Sequence, residues 1–99
     1  MSAIVETVRH RVLGRMVRLR LVPGPELLLT PVEALTLSNG LSAVAAGNSA
    51  EKEIFLSPIA SDAEFSGRVT AAGMVIGEHP VLAWPEVQTL SRELADAGR

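Results

Sequence analysis

The first part of the chain alternates between apolar and polar positions in two runs on either side of a glycine. The runs cover residues 8–13 and 16–21, and both contain β-branched residues. Such alternation predicts two half-buried strands, and the intervening Gly14-Arg15 predicts a two-residue hairpin turn. We therefore expect an apolar hairpin face made of Val8, His10, Val12, Val17, Leu19 and Leu21.

The opposite face of this predicted hairpin carries four arginines. A turn at Gly14-Arg15 places Arg11 opposite Arg18 and Arg9 opposite Arg20. Like charges directly across a ladder are destabilising, so we expect such a cluster where an anion or a carboxylate-bearing surface contacts it. The candidate anion- or partner-binding residues are Arg9, Arg11, Arg18 and Arg20.

A helix over the same segment is the alternative. Val5, Val8, Val12, Met16 and Leu19 recur at spacings of three and four. The β-branched content favours strands, whereas a helix would spread the arginines around its surface and remove the cluster.

Residues 23–47 predict a first strand-helix unit. A turn at 22–25 precedes an apolar strand at 27–29, and Thr30, Pro31 and Glu33 supply an N-cap, a first helical residue and a capping box. A buried stripe of Ala34, Leu37, Leu41 and Val44 follows. At Gly40 we expect the helix to bend, to end or to pack closely against a partner, and at Gly47 we expect its C-terminal end.

Residues 67–99 repeat this order, with strands expected at 68–71, 74–76 and 81–83. A helix beginning at Pro85, with Val87, Leu90 and Leu94 as its buried stripe, ends at Gly98. Leu37-Ser38 and Leu90-Ser91 are the only matching residue pairs. We therefore predict an α+β fold with a small antiparallel sheet and two helices packed on one face. The similar order of elements indicates either two strand-strand-helix units or two unrelated helices that each begin at a proline.

Residues 48–66 separate these units and form an acidic loop region with a short strand at 54–56. Its carboxylates are Glu51, Glu53, Asp62 and Glu64, which either face solvent or serve as the counterpart of the arginine hairpin. Whether this region is ordered is left open.

Composition narrows the possibilities further. Ninety-nine residues suffice for a single domain, 1–99, and the absence of cysteine excludes disulfides and thiolate sites. No secretion signal or membrane-spanning run is evident, so we expect a cytoplasmic chain without membrane contact. The 47% hydrophobic content is high for this length and favours a homo-oligomer, most simply a dimer.

Charge is unevenly distributed along the chain. Residues 1–20 hold five arginines and one acidic residue, whereas residues 21–99 hold four basic and ten acidic residues. The sequence therefore predicts a basic hairpin arm, residues 1–22, and an acidic remainder of the chain. This charge asymmetry favours an anionic ligand, or an acidic surface on the same chain or on a partner.

No catalytic, metal or cofactor site is predicted. His10 lies on the predicted apolar face, where a buried, hydrogen-bonded role is expected, and His79 is expected to be exposed in a turn before Pro80. The two histidines lack further ligands at recognisable spacing, and no phosphate-binding or nucleophile motif occurs.

Two functions remain. We expect a noncatalytic protein-interaction or regulatory domain that self-associates or binds an acidic protein surface. The alternative is a nucleic-acid-binding β-ribbon that uses the arginines, although the acidic remainder of the chain disfavours it. Trp84 is expected either in the core or at an interface.

Overall fold

Seven strands and two helices make up the computed structural model, which describes residues 2–99. The α+β class predicted from the sequence is confirmed, and so is the strand interpretation of the opening segment. In chain order the elements are β1 (Ser2–His10), β2 (Gly14–Val22), β3 (Glu26–Leu29), α1 (Pro31–Ala45), β4 (Glu53–Leu56), β5 (Phe65–Val69), β6 (Gly73–Ile76), β7 (Leu82–Ala83) and α2 (Trp84–Gly98).

The strands are divided between two antiparallel sheets, where the sequence predicted one, because local patterns do not encode which strands pair. The first has the order β1-β2-β3 and the second the order β4-β5-β6-β7. Both helices contact strands of both sheets, so the helix pair joins the two sheets. The predicted acidic loop region, 48–66, contains β4 and the start of β5, and the second unit begins at Phe65 rather than at residue 67.

One hydrophobic cluster is shared by both sheets and both helices. The core face of the first sheet is defined by Val17, Leu19 and Leu21 of β2, and that of the second includes Phe65, Met74 and Ile76. The helical stripes predicted from the sequence are buried against these faces: Ala34, Leu37, Leu41 and Val44 in α1, and Val87, Leu90 and Leu94 in α2. Burial of these side chains supplies most of the driving force for the fold.

Each half of the chain is a three-stranded meander followed by a helix. β1, β2, β3 and α1 form the first unit, and β5, β6, β7 and α2 form the second. The second unit has an additional strand, because β4 pairs antiparallel with the outer edge of β5. Both halves therefore have the same element order, with three strands before the helix rather than the two of the predicted strand-strand-helix units.

Both helices begin with a glutamate side chain that accepts a hydrogen bond from the N-cap amide. At α1, Glu33 N donates to Thr30 Oγ1 (3.1 Å) and Thr30 N donates to Glu33 Oε1 (2.8 Å), which completes the predicted capping box. At α2, Ala83 N donates to Glu86 Oε1 (3.0 Å), so the carboxylate half of the box is repeated.

Small residues let the helices approach each other. Ser38 Oγ donates to Ser91 O (2.6 Å), and Ser91 Oγ donates to Ser38 O (2.8 Å). Near the end of α2, a Cβ on Gly98 would lie 2.8 Å from Pro31 O. Gly40 neither ends nor breaks α1, and a Cβ there would meet Ile54 of β4 at an ordinary 3.5 Å.

Candidate interaction surface

The turn of the β1–β2 hairpin lies at Arg11–Leu13, and the predicted turn at Gly14-Arg15 is wrong. Strand pairing places His10 opposite Gly14 and Arg9 opposite Arg15. Gly14 has φ +80°, a conformation that favours glycine, and it occupies the position where β2 begins. His10 Nδ1 accepts hydrogen bonds from Val12 N (3.1 Å) and Leu13 N (3.0 Å), which satisfies the backbone of the turn.

This register changes the partners of all four candidate arginines. Arg18 lies opposite Glu6 and Arg20 opposite Ile4, so the predicted Arg11–Arg18 and Arg9–Arg20 pairs are wrong. The physical reason is that the longer turn shifts the strand pairing and brings a carboxylate beside the two β2 arginines. Arg9 instead pairs with Arg15 across the ladder, and Arg11 is exposed in the turn.

Glu6 is the counterion of Arg18 and Arg20. Its Oε1 lies 3.7 Å from Arg18 Nη1 and 3.4 Å from Arg20 Nη2, with all three side chains partly exposed. These residues lie on the outer face of the first sheet, opposite the core face. Within residues 2–99, the ion pairs of these two arginines are made to Glu6 rather than to the acidic region 48–66.

The structure therefore brings Arg18 and Arg20 together but separates them from Arg9 and Arg11. Successive strand residues point to opposite faces, so Arg9 projects on the core-face side of β1, beyond the packed core, where it is exposed. The four residues do not form the single positive face that the sequence predicted.

Arg15 has a role that the sequence did not reveal. Its Nη1 donates to Ala97 O in the last turn of α2, where carbonyl groups lack partners within the helix. A cation at this end also interacts favourably with the helix dipole. The residues are far apart in the chain, and no local pattern indicates this contact.

The outer edge of β1 differs from the edges of β3 and β5 within residues 2–99. The edge of β3 is covered because Ser61 Oγ bonds both the amide and the carbonyl of Leu28, and the edge of β5 is covered by β4. Within residues 2–99, β1 has β2 as its only strand neighbour. An edge of this kind leaves alternate backbone donors and acceptors available to another strand.

An acidic cleft lies between the start of β1 and helix α2. It has a volume of about 220 Å³, and it combines the carboxylate residues Glu86 and Glu93 and Thr89 with an apolar wall of Ala3, Leu82, Pro85 and Leu90. Ala3 is on the core-face side of β1, the same side as Arg9, but Arg9 lies about 20 Å further along the strand. The arginine and the cleft of one chain are therefore at opposite ends of β1. We call this site the acidic cleft.

The histidines and the tryptophan are placed by local packing. His79 is 2% exposed, contrary to the expectation of an exposed turn residue, because the turn at Gly24 packs against it. Its Nδ1 lies 2.6 Å from Pro80 O. His10 is hydrogen-bonded as expected but half-buried, and it lies on the outer face rather than on an apolar face. Trp84 packs against the core at the start of α2.

Exposed apolar side chains occur at the hairpin tip and at separate positions in both halves of the chain. Val12 is 84% exposed and Leu13 46% exposed in the turn. The others lie apart from the tip: Val22, Val32, Phe55, Ile59 and Val81.

Within residues 2–99, no group of three or more histidine, aspartate or glutamate side chains is arranged to hold a metal ion. No helix in the described part of the chain is both long and apolar enough to cross a membrane. Comparison with family models, curated proteins and solved structures found no match to this chain.

Proposed function

We propose that this chain is a noncatalytic protein-interaction domain that self-associates as a homodimer through the open edge of β1. The observation that carries the proposal is the difference between the two units. In the second unit the edge of β5 is covered by β4, whereas the equivalent edge of β1 in the first unit has no covering strand within residues 2–99.

The length and composition of β1 suit it to strand pairing. Nine residues span about 30 Å, longer than a typical strand. Proteins usually protect such an edge with proline, lysine, a bulge or a covering segment. The sequence of β1 contains neither proline nor lysine, and four of its residues, Ile4, Val5, Thr7 and Val8, are β-branched. Its two charged residues are Glu6, which is paired with Arg18 and Arg20, and Arg9 near its end. β1 therefore offers a regular surface for addition of another strand.

A second copy of the same chain is the occupant that the observations favour. Antiparallel pairing of two identical strands is self-complementary, as a two-fold interface requires. It would give the first sheet an antiparallel neighbour in the position that β4 occupies beside β5. The high apolar content of the chain also supports association.

Nucleic-acid binding receives less support. Arg18 and Arg20 share the carboxylate of Glu6, and Arg9 lies on the other side of the sheet. A β-ribbon that contacts the bases in a DNA groove needs its cationic side chains on one face. The net charge of the whole chain, −2, also disfavours binding to phosphates.

Sedimentation equilibrium over a range of concentrations tests the proposal. We expect the average mass to rise from 10.5 kDa toward twice that value. Heparin retention and a DNA shift assay at low salt provide the comparison with the alternative. A 10.5 kDa species at every concentration, up to the millimolar range, would exclude self-association, and salt-sensitive DNA binding by that monomer would favour the nucleic-acid alternative.

A further inference from the structure

We infer that the dimer pairs its β1 strands antiparallel about Thr7, and that each copy inserts Arg9 into the acidic cleft of the other copy. This inference rests on the proposed self-association and specifies its register and its ionic contact. Its starting point is that Arg9 and the acidic cleft lie on the same side of β1 but at opposite ends of the strand.

The alternation of side chains restricts the possible registers. Residues directly opposite each other in a ladder share a face, so a two-fold axis through the ladder must pass between two copies of the same residue. An axis at Glu6 would place Glu6 opposite its own copy, and like charges in that position are destabilising. An axis at Val8 would pair only residues 6–10 of each strand, and an axis at Val5 would pair residues 2–8 and leave Arg9 outside the ladder.

An axis at Thr7 avoids both disadvantages. It pairs residues 4–10 of each strand and places Glu6 opposite the Val8 of the second copy. Thr7 is exposed, and threonine pairs across a ladder form favourable contacts. On the same side of the ladder, Arg9 of one copy lies opposite Val5 of the other.

This position brings Arg9 to the acidic cleft. Val5 is one same-face position from Ala3, which lines the cleft with Glu86 and Glu93. Diagonal neighbours across a ladder are about 7–8 Å apart at their Cα atoms, within reach of a long side chain. The two-fold axis makes the contact twice, so each cleft receives one guanidinium group.

The charges of the single chain are complementary to this arrangement. Arg9 lies opposite Arg15 within the hairpin and is exposed, and Glu93 of the cleft is also exposed. In the dimer, Arg9 would lie near the carboxylates of Glu86 and Glu93 of the other copy. These carboxylates would act as counterions for a guanidinium group that lies opposite another arginine within its own hairpin. Charge complementarity of this kind fixes the register of an interface more strongly than it raises affinity.

Charge reversal tests the ionic contact. Arg9→Glu is expected to raise the dimer dissociation constant about tenfold, because the change occurs at both symmetric contacts. Lys52→Glu makes the same charge change at an exposed site beside β4 and is expected to shift the constant less than about twofold. Adding Glu93→Arg to Arg9→Glu should restore most of the affinity. Circular dichroism and thermal unfolding establish that each variant folds.

Disulfide formation tests the register. The chain has no cysteine, so Thr7→Cys introduces a single thiol beside the axis, at a distance that a disulfide can bridge. We expect rapid formation of a covalent dimer by Thr7→Cys and slow formation by Val12→Cys at the hairpin tip. A dimeric wild type in which Arg9→Glu behaves like Lys52→Glu, or in which the two cysteine variants cross-link equally, would overturn this inference and leave self-association standing. A monomeric wild type would instead remove the proposed function itself.

Discussion

Ser38 and Ser91 hydrogen-bond each other's backbone carbonyl groups across the helix pair. The two residues are 53 positions apart. The same separation relates Leu37 to Leu90, both in the buried stripes, and Glu33 to Glu86, both of which accept a bond from an N-cap amide. The constant separation shows that the two helices are equivalent parts of two units with the same element order.

Replacing Ser38 with alanine is expected to lower the free energy of unfolding by about 1 kcal/mol, because a buried hydrogen bond is lost without a large change in volume. Urea denaturation measures this difference. Ser42→Ala, at an exposed position one turn further along α1, serves as the matched control and should change stability by less than about 0.5 kcal/mol. If both substitutions lowered the free energy of unfolding equally, the hydrogen bonds between Ser38 and Ser91 would not be the source of the loss.

Gly40→Ala should stabilise the protein by up to about 1 kcal/mol. Alanine favours the helix, and the new methyl group would meet Ile54 at an ordinary 3.5 Å. Gly98→Ala makes the same change in α2 but places the Cβ 2.8 Å from Pro31 O, so a loss of about 1–3 kcal/mol is expected from overpacking. Thermal unfolding should shift in opposite directions for the two variants. A shift in the same direction would contradict the described helix contacts.

Arg15→Ala should destabilise the protein by about 0.5–1 kcal/mol, because the last turn of α2 loses a charged donor to Ala97 O. Arg11→Ala removes the same charge from the exposed hairpin turn and should have almost no effect. The comparison is made by denaturant unfolding at low and moderate salt. If both variants lose the same stability, the contact with α2 is not the cause.

Glu6→Gln should increase retention on heparin. The substitution removes the counterion shared by Arg18 and Arg20 and frees both guanidinium groups for an external anion. Glu51→Gln, at an exposed glutamate in the segment before β4, gives the same net charge change and controls for it. The stability cost should stay below about 1 kcal/mol, because the pairs are partly exposed. Equal retention of the two variants would indicate that Glu6 does not neutralise the arginines.

The parts of the fold that local chemistry determines could be predicted from the sequence. The capping box at Thr30 and Glu33 and the stripes of both helices are in place, because caps and 3.6-residue periodicity are local signals. The hairpin was also predicted, but its register was not. A longer turn closed by His10 and Gly14 competes with the short turn, and alternation alone does not distinguish them.

The candidate site depended on contacts between distant residues and was therefore predicted only in part. The grouping of Arg18 with Arg20 follows from alternation, whereas the counterion Glu6 follows only from the true register. The contact of Arg15 with Ala97 and the cleft beside Ala3 require the position of α2. The open edge of β1 requires the order of strands in both sheets, which no local pattern encodes.

Hydrogen–deuterium exchange at two protein concentrations tests most directly whether β1 pairs with a second copy. Above the dissociation constant of the dimer, the backbone amides of residues 4–10 that point away from β2 should exchange more slowly than in dilute solution, because they become hydrogen-bonded to another β1. The amides of β4, residues 53–56 at the edge of the other sheet, should exchange at the same rate in both samples. Exchange in β1 that does not depend on concentration would contradict the account.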